Sequence, residues 1–175
     1  MRWLVVLLFC LCAGPAWSQS IVAREFEAVV TPTVTAGAYS SGQAIGGLQT
    51  ISPFRLNGGS IILNNESLWS QGGATTAITL YIFKIKPSSS TTCTDNSSFV
   101  LAAADVASLI TEAPPVLTPA VTGAGTTRTS ASVQSPISIT NGEQSQNLYI
   151  CPVVGGTVTP GSTTDLVFKY AGLQD

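Results

Sequence analysis

The sequence predicts an all-β protein, an antiparallel β-sandwich or jelly roll with one short helix, preceded by a cleavable signal peptide. Three observations predict it. Short runs rich in Val, Ile, Thr, Tyr and Phe recur along the chain, broken by Gly, Pro, Ser and Asn, the pattern of packed sheets joined by turns. Helical spacing of apolar residues is confined to one stretch, residues 102–110. Charged residues are only 9% of the chain, so hydroxyl and amide side chains are left to hydrate the surface.

At the N-terminus Arg2 provides a basic start, residues 4–13 are an unbroken apolar run, and Pro15 precedes Ala16-Trp17-Ser18. This order of basic, apolar and small residues reads as a secretory signal, with cleavage expected after Ser18. A lipoprotein anchor at Cys10 or Cys12 is the rival reading, but bulky Phe9 and Leu11 stand where small residues are needed. The apolar run is shorter than the roughly 20 residues that a spanning helix requires, so no membrane span is expected in the mature chain. Residues 19–175 are long enough for one domain with a substantial core.

The first strand is expected over residues 24–31, with Phe26, Ala28 and Val30 on one face, Glu25 and Glu27 on the other, and Val29 breaking the alternation. Residues 48–51 and 60–63 follow as short strands, each after a glycine pair, Gly46-Gly47 and Gly58-Gly59. Residues 76–86 form the strongest candidate. Ile78, Leu80 and Ile82 line one face while Tyr81, Phe83 and Ile85 largely fill the other, and a strand apolar on both faces is a central one. Residues 102–110 are the expected helix, with Val106, Leu109 and Ile110 at helical spacing and Pro114-Pro115 beyond it. Strands resume at 116–121, 126–134, 136–139, 147–154 and 164–170. The polar run 126–134 is expected at an edge or facing outward. Asn141-Gly142 signals a tight turn.

The charge of -2 and the lack of any basic stripe argue against a nucleic-acid partner. There is no histidine, which excludes Ser-His-Asp and Cys-His catalysis. Among the nine carboxylates only Glu25 and Glu27 share a strand face, and pairing across strands stays open. No enzyme and no cofactor are therefore expected. Cleavage would remove Cys10 and Cys12 and leave Cys93 and Cys151, which an oxidising compartment would join as a disulfide, two free thiols being the other reading. Two cysteines without histidine cannot build the usual zinc site. Asp95-Asn96 could offer oxygens to calcium, yet turn initiation is the plainer reading. Asn65-Glu66-Ser67 and Asn96-Ser97-Ser98 match glycosylation sequons, which matter only in a eukaryotic host. Trp69 is the one tryptophan outside the signal region. Set among Ser67, Ser70 and Gln71 in a loop or strand end, it is the candidate ligand contact, for stacking on a sugar; the alternative is a ring folded over the sandwich edge.

Three blocks carry a resemblance: TPTVTAGAYSSGQAIGGLQTI at 31–51, FRLNGGSIIL at 54–63 and LYIFKIKPSSSTTCTDNSSFVLAAADV at 80–106. Tyr39, Gly42, Gly46 and Gly47 match a Y-x-x-G-x-x-x-G-G pattern, Gly59 and Ser60 a following turn, and Pro87, Thr92, Asp95 and Asn96 a segment from a proline to T-x-x-D-N. In these blocks the first half of the mature chain resembles small tailed-phage virion structural proteins, although their pattern usually has an acidic residue where this chain has Gln43. The resemblance implies a β-sandwich module that decorates or connects virion parts through protein–protein contacts, as a homo-oligomer or with other structural proteins. A secreted module that binds a glycan or cell surface is the alternative function. The expected location is secreted or periplasmic on the strength of the signal, or the virion on the strength of the resemblance.

Overall fold

The computed structural model describes residues 23–55, 59–110, 114–121, 129–134, 136–140 and 145–174. The expected signal region, Gly58, the start of the expected 126–134 strand and the expected Asn141-Gly142 turn lie outside them. Alternating apolar residues organise the described chain into strands β1 (Arg24–Val30), β2 (Gln49–Ile51), β3 (Ser60–Ser70), β4 (Ile78–Phe83), β5 (Val116–Leu117), β6 (Ala120–Val121), β7 (Thr129–Val133), β8 (Ile137–Thr140), β9 (Leu148–Val154) and β10 (Leu166–Gln174). One sheet runs β1-β10-β3-β7-β6, with β8 also beside β3; the other runs β2-β9-β4-β5. All strand pairs are antiparallel. The main core lies between the sheets, where Ile61, Leu63 and Leu68 of β3 and Phe168 of β10 meet Leu80 of β4 and Ile150 of β9. The predicted β-sandwich is thus the observed fold.

β1 keeps the expected faces: Phe26, Ala28 and Val30 are half-buried against the core, while Glu25, Glu27 and Val29 are exposed. β4 is interior to its sheet, and its two faces feed two different apolar clusters. It is shorter than the expected 76–86, because past Phe83 the chain turns to the loop and Lys84 N–H donates to the Ser108 carbonyl at 2.9 Å.

Four elements depart from the sequence reading. β3 runs on from the expected 60–63 to Ser70 despite its polar Asn64-Asn65-Glu66 segment. A bulge opposite Ala171 and Gly172 lets it do so. The bulge shifts the inward phase from Ile61 and Leu63 to Glu66, Leu68 and Ser70, since one extra residue in a strand exchanges its faces. The expected strand 116–121 is two strands: Val116–Leu117 pairs with β4 and Ala120–Val121 with β7, so the chain changes sheets at Thr118-Pro119. β7 turns Ser130 and Ser132 outward as expected, but it starts between β3 and β6 rather than at an edge, and its Thr129 is buried, with Oγ1 donating to the Ala74 carbonyl. The helix is a 3-10 segment, Ala103–Ser108, that buries Asp105 and Ser108 and leaves Val106 51% exposed. Its hydrogen bonds, described below, outweigh the apolar spacing.

Candidate functional site

The long excursion between β4 and β5 covers the outer face of the four-stranded sheet. Ala44, Phe83, Cys151 and Val153 form a second buried cluster there, with Phe99, Leu101 and Leu109 of the excursion packed against it. The rings of Tyr81 on β4 and Phe99 lie 4.4 Å apart. The expected disulfide joins Cys93 of this loop to Cys151 of β9, with Cα atoms 6.0 Å apart. It therefore pins the roof to the sheet.

Thr35, Tyr39 and Gly46 converge on Asp95. Its carboxylate accepts hydrogen bonds from Thr35 N–H at 2.8 Å, Thr35 Oγ1 at 2.7 Å, the Tyr39 hydroxyl at 2.7 Å and Gly46 N–H at 2.6 Å. Partial burial pushes this carboxyl up, but the bonds from Thr35, Tyr39 and Gly46 outweigh it and hold Asp95 below the usual carboxylate range. Burial, then the bond to Asp95, pushes the Tyr39 phenol up to about 12. Gly46 and Gly47 have φ of 77° and 66° and Asn96 a φ of 57°, left-handed conformations that suit Gly and Asn. Gln43 Nε2 donates to the Asn96 carbonyl at 3.1 Å while its Oε1 accepts from Ser40 N–H. This clasp ties residues 35–46 to residues 95–97. Donors surround Asp95, the reverse of what a calcium ligand presents.

Two further aspartates, neither marked out by local sequence pattern, likewise accept several hydrogen bonds. Asp105 accepts from Ser88 N–H, Ser88 Oγ and Thr91 Oγ1, and the Thr91 and Ser88 hydroxyls hold it below the usual range. Asp165 is buried and accepts from Ser70 Oγ, Gly72 N–H and Gly161 N–H. Glu66 differs. It points between the sheets with no exposure, and neither carboxylate oxygen has a hydrogen-bond partner among the described residues. Burial pushes it up to about 7. Beside it Tyr170, opposite on β10, donates to Gln49 Oε1 at 2.8 Å. Only the bulge makes Glu66 an inward residue, which is why local pattern does not reveal it.

Trp69 sits on the outer face of the six-stranded sheet, on the interior strand β3, and is 42% exposed. Strand register arranges that face in rows. Val167 of β10, Trp69 and Ser130 of β7 form one row; Lys169, Ser67 and Ser132 form the next, with Val29 of β1 beside Lys169. All of these but Val29 line an open depression of about 680 Å³. Lys169 Nζ is 3.8 Å from a Glu27 oxygen. Trp69 therefore stands at the end of a strand, one of its two expected placements, with its ring on the open sheet face and not in a loop. Glu25 and Glu27 also lie on this face, at the rim of a second depression that reaches Asn64 and Asn65 at the bulge.

Among the described residues no three His, Cys, Asp or Glu side chains are grouped to hold a metal ion, and no helix is long and apolar enough to cross a membrane. The chain matches no protein-family model and no curated protein. What the described surface offers is an aromatic and hydroxyl-bearing sheet face and an open strand edge.

Proposed function

We propose that the chain is a non-enzymatic structural or assembly module, of the kind that decorates or connects virion parts, acting through protein–protein contacts. The observation that carries this reading is the edge at β1. Among the described residues β1 pairs on one side only, with β10, over seven residues. Phe26, Ala28 and Val30, which face the core, stay half-buried there. An uncovered edge with apolar residues behind it accepts a further strand, whose main chain would complete the ladder.

A second copy of this chain supplies such a strand. Two β1 strands paired antiparallel with Ala28 opposite Ala28 bring Phe26 against Val30 and Glu27 against Val29, and no two carboxylates oppose each other. Sedimentation equilibrium of the purified chain tests this. The wild type is expected to self-associate, and Ala28→Asp with Val30→Asp to be monomeric with the disulfide intact. A wild type that stays monomeric up to about 100 µM has no specific interface between copies, and overturns the reading.

A further inference from the structure

We infer that the Trp69 rows on the outer face of the six-stranded sheet are a binding site for a neutral oligosaccharide. The inference is independent of the assembly reading, because β1 works through its edge and this site through a face.

A sugar ring presents an apolar C–H face and a rim of hydroxyls that both donate and accept. The site offers the complement in adjacent rows. Trp69 and Val167 provide apolar surface, with the indole 42% exposed on an interior strand rather than buried at an edge. Ser130 stands beside Trp69, and Ser67 and Ser132 follow in the next row; each serine hydroxyl can donate and accept. Successive rows lie about 7 Å apart along a strand, so a sugar chain running along β3 meets the indole with one ring and the serine row with the next.

Charge narrows the ligand class. The charged group in these rows is Lys169, and Glu27 lies 3.8 Å from it. The pair presents no net charge, so neither an acidic nor a basic ligand is favoured. A protein partner fits the face poorly. A stable interface needs about 800 Å² per partner around an apolar centre, whereas Trp69, Val29 and Ile62 stand in different rows separated by serines, asparagines and the ion pair.

Trp69 also reports on the site. In a chain cleaved after Ser18 it is the single tryptophan, so its emission can be followed directly while neutral, acidic and basic oligosaccharides are titrated. The expected result is a saturable change with a neutral oligosaccharide. Trp69→Ala, read by calorimetry, is expected to bind about tenfold more weakly, Trp69→Phe to retain most of the affinity, and Val116→Ser on the other sheet to bind like wild type. An emission spectrum that no oligosaccharide moves, in protein with the disulfide formed, overturns the inference. So does a preference for charged sugars, or a change that follows protein concentration without any sugar, which would assign the face to a second copy.

Discussion

Glu66 and Tyr170 stand directly opposite each other on β3 and β10, both without solvent exposure, and the phenol donates its hydrogen bond to Gln49 Oε1 rather than to the carboxylate. Burial, and then the charge of Glu66, raise the Tyr170 phenol well above its ordinary value. The carboxyl, also raised by burial, changes charge at about 7 instead of 4.5.

The sign of the resulting pH dependence follows from proton binding. The folded chain holds the Glu66 proton more tightly than the unfolded chain does. Its contribution is therefore complete below about 4.5 and is lost as the pH rises through about 7, a fall of about 3 kcal/mol. Urea unfolding at pH 5 and pH 8 should show this loss in the wild type and not in Glu66→Gln, which is neutral throughout. Equal wild-type stability at both values would mean that the carboxylate is charged and paired in the fold.

Asp95 is expected to behave in the opposite sense. Its carboxyl is held below the usual 3.8, so its contribution is present above that value and lost as the pH falls toward the folded one. Asp95→Asn would turn an amide N–H toward donors from Thr35, Tyr39 and Gly46 and should cost about 3 kcal/mol at neutral pH. Hydrogen exchange should then accelerate first at Thr35 and Gly46, whose N–H groups lose their acceptor.

Removal of the Cys93–Cys151 bond opens a loop of 58 residues in sequence. Chain entropy puts the destabilisation of Cys93→Ser with Cys151→Ser at about 4 kcal/mol. Since the bond pins the roof rather than the main core, limited proteolysis of the reduced protein should begin between residues 84 and 110. Early cuts in β3 or β10 would contradict that placement.

Gly172 lies where the bulge brings two strands close together. A Cβ there would lie 2.1 Å from the Ile62 carbonyl oxygen and 2.8 Å from the Phe26 ring. Gly172→Ala should therefore destabilise by about 3 kcal/mol, seen as a lower urea midpoint. Gly42→Ala is the control: no atom lies within 4 Å of its Cβ position, although its φ of 84° still carries strain.

Much of the sandwich is legible in sequence because alternation is local. The two apolar faces of β4 and the inward Phe26, Ala28 and Val30 follow from side chains pointing to opposite sides of a pleat. The expectation that Cys93 pairs with Cys151 follows from residue count and from the oxidising compartment that a secretory signal would imply. The length of β3 does not, because Asn64-Asn65-Glu66 reads as a break, and that segment is held in the sheet by β10, with its own glycine, and by β7 beside Glu66. Nor does the 3-10 segment, whose Asp105 is turned inward by Ser88 and Thr91 from more than a turn away.

The site divides in the same way. Sequence singles out Trp69 by rarity and polar neighbours, yet its exposure depends on what lies above the sheet. One sheet is roofed by residues 84–110 and the other stands open around Trp69. Local pattern determined the alternating faces of the strands it found, and composition, with no histidine in the chain, excluded catalysis by histidine. Tertiary structure alone decided which face was covered, which carboxylates became loop anchors and which one was buried with no hydrogen-bond partner among the described residues. The reason is that covering and pairing are contacts between segments far apart in the chain, and neither segment records the other in its own pattern.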